Sequence, residues 1–199
     1  MVISLVLCMH KAVFLDRDGT INEEMGYINH INRFKIFSFV PEAINLLNKA
    51  DYQTVLVTNQ SGVARGYYDE SLVHDVHDKL REKLKEKSAH LDGIYYCPHH
   101  PTEGIGVYNK NCECRKPKTG MIDSAIKELN IDISKSFMVG DRYKDIEFAQ
   151  KAGLHAIFVK TGYGLGEFTY QRKSWTIQPD YIAKDLLEAA RYIKENPIQ

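Results

Sequence analysis

Ala12-Val13-Phe14-Leu15-Asp16-Arg17-Asp18-Gly19-Thr20 runs from four apolar residues straight into two acids placed two positions apart. A short apolar run without polar alternation reads as a strand covered on both faces, the habit of parallel sheets. Where such a strand ends, the period of two turns both carboxylates the same way as long as the backbone stays extended. Two like charges that close disfavour each other's ionisation unless a cation lies between them. Mg²⁺ suits the pair, because it takes a few carboxylates together with water and phosphate oxygens. Gly19 lets the chain turn sharply and leaves backbone amides free for an anion. The plain alternative is an acidic loop that turns on its glycine. An EF-hand fits poorly, since its later ligands and closing glutamate are absent.

Outward from this stretch the same pattern recurs. Residues 54–58, 93–96, 136–139 and 156–159 are further apolar, β-prone runs, and the segments between them carry helical periodicity. Pro41 opens a helix with Ile44, Leu47 and Ala50 inward. Asp69 is a candidate cap for a long helix whose apolar face holds Leu72, Val73, Val76, Leu80 and Leu84. Helices over 121–129 and 144–152 follow, the second stopped at Gly153, and one over 184–194 closes the chain. This alternation predicts a three-layer, Rossmann-like α/β fold, a parallel sheet with helices on both faces and no large cap domain. At 199 residues, one domain over 1–199 is expected, with a cysteine-histidine loop at 97–114 inserted in it. In such sheets ligands bind beyond the carboxyl ends of the strands, and the chemically suggestive residues follow the first, second and fourth runs.

Composition narrows the function classes. Lys and Arg number 26, as do Asp and Glu, so the formal charge is zero. Duplex nucleic acid or an anionic membrane normally demands a basic excess, and neither is expected as a partner. No stretch approaches the roughly 20 apolar residues of a membrane span. Val2 to Leu7 is apolar but has neither a basic start nor a small-residue cleavage site. It reads as an extension of the first strand or as residues upstream of an alternative start at Met9. A cytoplasmic monomer is the expectation.

The second strand ends in Thr58-Asn59-Gln60-Ser61-Gly62. A hydroxyl there can bond a phosphoryl oxygen without adding bulk, and Asn59 can bind a leaving hydroxyl or orient a neighbour. The fourth ends in Gly140-Asp141-Arg142, with Asp145 one helical turn on. Asp141 is a candidate magnesium ligand, while Asp145 suits either a metal role or a helix cap. Arg115-Lys116-Pro117 precedes the 121–129 helix; Pro117 biases Lys116 toward extended backbone, and a compact ammonium suits a transferring phosphoryl group.

Three of the four cysteines crowd around histidines in Cys97-Pro98-His99-His100 and Cys112-Glu113-Cys114. Three thiolates and an imidazole make a closed tetrahedral zinc shell with no open position, hence a structural site. His99 or His100 supplies the imidazole. Such a staple would deliver Arg115 and Lys116 to the strand ends.

Taken in order, Asp16-Arg-Asp18-Gly-Thr, Thr58-Asn-Gln-Ser-Gly, Arg115-Lys116-Pro and Gly140-Asp141-Arg142-x-x-Asp145 resemble the motifs of the haloacid dehalogenase-like hydrolases over roughly residues 11–166. The resemblance implies a phosphatase with Asp16 as nucleophile and Asp18 as general acid, then base. It implies magnesium on Asp16, Asp141 and the backbone carbonyl of Asp18, with Asp145 nearby. Thr58 and Lys116 would steady the phosphoryl group. Arg115 and Arg142 would recognise the sugar or a second phosphate, and Glu24, Met25, Gly26, Tyr27, Asn59, Gln60 and Ser61 would line the substrate site. Zinc would sit on Cys97, His99, Cys112 and Cys114. Residues 22–27, the Thr58–Gly66 run and the zinc loop are similar to the branch acting on the 7-phosphate of heptose 1,7-bisphosphate, used for lipopolysaccharide and surface-glycan precursors. A histidinol-phosphate phosphatase is the nearest alternative, followed by a DNA-end phosphatase and a non-catalytic binding module. The 104–110 stretch inside the zinc loop departs from the pattern of that branch.

Overall fold

β1 (Ala12–Leu15) is the hinge of the architecture, because both of its neighbours are strands that come later in the chain. The computed structural model describes residues 9–198, so the proposed extension of the first strand over 2–7, and Cys8 with it, lie outside the described residues. β2 (Gln53–Asn59) flanks β1 on one side and β4 (Phe137–Gly140) on the other. β3 (Gly93–Cys97) pairs with β2, and β5 (His155–Val159) with β4. β6 (Tyr181–Ala183) closes the far edge. All pairs are parallel, in the order β3-β2-β1-β4-β5-β6.

The period of two sorts each strand between two cores. Val13, Leu15, Leu56, Val139 and Ile157 face one layer, where α1 (Val40–Lys49), α3 (Glu70–Lys85) and α7 (Leu186–Glu195) bring Ile44, Leu47, Val76, Leu80 and Ile193. Phe14, Val55, Val57, Met138 and Phe158 face the other, built on α4 (Gly120–Leu129) and α5 (Tyr143–Ala152) through Met121, Ile122, Ile146 and Phe148. Two short helices, α2 (Ser61–Ala64) and α6 (Gly164–Tyr170), stand at the carboxyl ends of β2 and β5. The expected three layers are therefore present. The crossover from β3 back to β4 puts the switch in strand order beside β1, and the crevice opens there, above β1 and β4.

Several expectations change in detail. Asp69 stands at the N-cap position of α3, yet its side chain makes no capping hydrogen bond. β6 has no counterpart in the sequence reading, since three edge residues, two half-buried and one buried, carry too short a pattern to register. The 19–38 segment folds back on itself, with Glu23 N bonding Lys35 O and Phe37 N bonding Ile21 O, and so presents residues 24–27 over the strand ends. Gly153 does stop α5 in the left-handed region, at φ 77°. Among the described residues no helix is long and apolar enough to cross a membrane.

Leu47 is wholly buried on α1, away from the crevice. Leu47→Ala is expected to lower unfolding free energy by about 2–5 kcal/mol, read as a lower urea midpoint at an unchanged slope.

Candidate active site

Parallel pairing lays the ends of β1 and β4 side by side, and Asp16 N donates to Val139 O at 3.0 Å. Asp16, Asp141 and Asp145 consequently converge, offering ligand atoms that all lie within 4.8 Å of one another. Lys116 reaches in from the loop before α4 and places Nζ 2.6 Å from Asp16 Oδ1 and 2.7 Å from Asp145 Oδ1. All four groups are buried. Burial works against the Lys116 charge, but Asp145 and Asp16 outweigh it and hold its pKa above the usual lysine range. Burial pushes Asp16 up to about 7, with Asp145 and Asp18 adding repulsion that Lys116 partly offsets. Asp141 goes up to about 9, through burial first and then the charges of Asp16 and Asp145.

Three carboxylates against one ammonium leave a negative surplus. Two unit charges about 4 Å apart repel by about 4 kcal/mol even at an effective dielectric constant of about 20. A divalent cation removes that surplus, and the donors suit it: Asp141 Oδ1 is buried with no hydrogen-bond partner, while Oδ2 takes Tyr163 N at 2.8 Å. Hard carboxylate oxygens facing a polar cavity are the set Mg²⁺ prefers. Gly19 makes the approach possible, at φ 85°, because a Cβ there would stand 2.2 Å from Asp141 Oδ2. Of the two roles left open for Asp145, the helix cap is present: its Oδ2 accepts from Arg142 N at 3.2 Å at the start of α5, while Oδ1 accepts from Lys116.

Asp18 is held apart from this trio. Its oxygens accept from Arg17 Nη2 at 3.0 and 2.9 Å, Asn22 Nδ2 at 3.0 Å and Gln60 Nε2 at 2.9 Å. Burial opposes its charge, yet Arg17, then Asn22 and Gln60, bring its pKa below the usual carboxylate value. Arg17 was not anticipated as a site residue. The signal is its place between Asp16 and Asp18 just past a covered strand, where a buried arginine must find an acid.

Gln60 also donates to Thr58 Oγ1 at 2.9 Å and accepts from Arg17 and from Tyr68 OH, each at 3.0 Å. Its amide is thus spent on protein groups, and it orients Thr58 and Asp18. Asn59 grips the Lys116 backbone both ways, accepting from its N at 3.1 Å and donating to its O at 3.3 Å. That bond registers the lysine against β2.

The crevice is a cavity of about 290 Å³. It takes in Asp16, Asp18, Thr58, Asn59, Gln60, Ser61, Lys116 and Asp145 on its floor, and Glu24, Gly26, Tyr27, Arg115 and Arg142 on its walls. Met25 is not among the lining; its side chain packs against the core instead, and only its carbonyl serves the loop, accepting from Arg33 Nη2 and Tyr27 N. Tyr68 and Tyr163 line the cavity unforeseen by the motifs.

The cysteine-histidine loop closes behind Arg115. Cys97, His99, Cys112 and Cys114 form one cluster, with Sγ of Cys112 lying 3.5 Å from that of Cys97 and 3.2 Å from that of Cys114. His99 Nδ1 lies 3.8 Å from Cys97 Sγ and 3.4 Å from Cys114 Sγ. Tetrahedral ligands on Zn²⁺ stand about 3.4–3.8 Å apart, close to this set. The Cys114 thiol, through its hydrogen bond with Cys97, is pulled down to about 5. His100 takes no part; its Nδ1 accepts from Glu103 N at 3.1 Å. Arg115 Nη1 donates to His99 O at 3.0 Å, so the loop aims the arginine directly.

A family model described as HAD-hydrolase-like matches residues 113–189. The chain is 44% identical over 194 residues to the D-glycero-beta-D-manno-heptose-1,7-bisphosphate 7-phosphatase of Haemophilus influenzae, covering 94% of this chain and 98% of that protein. The solved D,D-heptose 1,7-bisphosphate phosphatase of B. bronchiseptica, complexed with magnesium and phosphate, superposes with a TM-score of 0.82 at 29% identity, over 93% of this chain and 98% of that one. A putative HAD-like phosphatase from Mesorhizobium loti gives 0.79 at 30% identity, over 96% and 89%.

The raised pKa of Asp141 makes its charge a liability without a cation. Its folded pKa of about 9 exceeds its unfolded value of 3.8, so its contribution to stability is full below about pH 4 and is lost as pH rises through 9. In chelator, Asp141→Asn is therefore expected to melt above the parent protein at pH 8 and to match it near pH 4. Added Mg²⁺ should reverse the order at pH 8, followed by thermal melts across the pH series.

Proposed function

The chain belongs to the haloacid dehalogenase-like hydrolases, and we propose that it is the phosphatase that removes the 7-phosphate of D-glycero-D-manno-heptose 1,7-bisphosphate, a step toward activated heptose. The observation that carries this is the convergence of Asp16 with Asp141, Asp145 and Lys116 at the base of one cavity, Asp141 buried beneath its lining, with a second acid two residues beyond the first. The substrate follows the Haemophilus influenzae relative, a heptose 1,7-bisphosphate 7-phosphatase 44% identical at nearly full coverage. The two arginines on the walls suit a substrate with a second anion, which histidinol phosphate lacks.

In the first half-reaction an Asp16 carboxylate oxygen attacks the 7-phosphorus, and the bond to the sugar oxygen breaks. Lys116 and the Thr58 hydroxyl, oriented by Gln60, bond the phosphoryl oxygens. Asp18 gives its proton to the departing alkoxide. In the second half Asp18 removes a proton from water, the water oxygen attacks phosphorus, and Asp16 is released with inorganic phosphate. The grip of Arg17, Asn22 and Gln60 on an ionised Asp18 suits this second half; to act as an acid Asp18 must first take up a proton and loosen from Arg17. Magnesium bound by Asp16, Asp141 and the Asp18 carbonyl, with Asp145 behind them, would supply positive charge against the phosphoryl oxygens. Zinc on the four loop ligands would hold Arg115 in place and take no part in bond making.

Asp16→Asn is expected to lower phosphate release from heptose 1,7-bisphosphate by at least about a thousandfold. The parent protein should show a higher kcat/KM for that substrate than for histidinol phosphate; the reverse preference would refute the substrate assignment while leaving the chemistry intact. Cys112→Ser is expected to lose the bound zinc, measured as metal content per chain. Loop cleavage by trypsin near Arg115 should rise with it.

A further inference from the structure

Glu167 has no part in the scheme above, yet α6 is built around it. The helix buries this acid at 8% exposure and leaves Leu165 at 60% and Tyr170 at 85%. Apolar burial alone would choose the reverse. Both carboxylate oxygens are committed: Oε1 accepts from Arg142 Nε at 3.0 Å, and Oε2 from Tyr143 N at 2.7 Å. A guanidinium is a rigid plane of five donors, so fixing Nε fixes the plane and leaves the terminal nitrogens for another anion. The Tyr163 ring supports the same guanidinium, 4.4 Å from its Cζ.

Arg142 has a competing destination. It follows Asp141 directly in the chain, beside the acidic cluster. Collapsed onto the three acids, it would neutralise the charge that a divalent cation is needed to balance. Glu167 pulls it the other way, toward the cavity wall that it lines.

We infer that Glu167 is a positioning residue that sets the preference for doubly phosphorylated substrates, by holding Arg142 open toward the phosphate that is not hydrolysed. This rests on the proposed bisphosphatase activity and deepens it. The test compares heptose 1,7-bisphosphate with heptose 7-phosphate for the parent protein, Glu167→Ala, Arg142→Ala and the double variant. Glu167→Ala should raise KM for the bisphosphate more than it changes kcat, and lower the bisphosphate-to-monophosphate ratio of kcat/KM about tenfold, the size expected for a charge-assisted contact. Arg142→Ala should lower the ratio at least as much, and the double variant should match Arg142→Ala, because Glu167 acts only through the arginine. Glu167→Gln, which keeps the side-chain shape, carries the same comparison if the alanine variant does not fold. If Arg142→Ala lowers the ratio and neither Glu167 variant does, or if the two losses add, the inference is wrong and the arginine's role stands. If Arg142→Ala leaves the ratio unchanged, the arginine does not hold the second phosphate and the inference falls with that role.

Discussion

Lys116 Nζ stands 2.6 Å from Asp16 and 2.7 Å from Asp145, with Asp141 close enough to share a ligand with both. Four buried ionisable groups in one pocket are costly to assemble, and much of the surrounding structure reads as a set of means to hold them. Parallel pairing of β1 with β4 brings Asp16 beside Asp141. Asn59 fixes the backbone of Lys116 from β2. The helix that starts after β4 draws its cap from Asp145, so the acid that restrains the lysine also begins α5. Because the acids outnumber the ammonium, the cluster suits a further positive charge.

The two walls of the cavity are supported differently. On one, Arg115 leans on the carbonyl of His99, inside the cysteine-histidine cluster. That loop is also anchored to α3 and to the end of α2: Tyr108 OH donates to Glu70 at 2.8 Å, an acid that Tyr96 OH of β3 also bonds at 2.9 Å, and Glu103 pairs with Arg65. On the other wall, the 163–167 segment binds Asp141 through Tyr163 N and Arg142 through Glu167. Irregular backbone is thereby tied to the sheet and helices by side-chain bonds on both sides of the cavity. Asp18 belongs to neither wall; Arg17 and Gln60 hold it in its charged form.

The strand runs that end in Asp16, Thr58 and Asp141 were legible because a covered parallel strand is a continuous apolar stretch with its polar chemistry pushed to the end. The cysteine-histidine cluster was legible because few other arrangements suit thiols and imidazole at that spacing. Arg17, Tyr68 and Glu167 were not, since each acts on a partner brought to it by folding. Gln60 and Met25 show the converse. Both lie in segments that the motifs assign to the substrate, but Gln60 is spent on Arg17, Tyr68, Thr58 and Asp18, and Met25 turns into the core.

Sequence alone determined the layered α/β fold, the candidate acids and lysine at the strand ends, and the three cysteines of the candidate zinc shell, because all of these depend on local period, strand-end position or short spacing. Tertiary structure alone decided that His99 and not His100 joins the cysteines, that Asp145 serves both Lys116 and α5, and that Asp18 rests against Arg17. Those outcomes turn on which donor lies nearest across the sheet. Such distances depend on register and packing between segments tens of residues apart, and no local pattern encodes them.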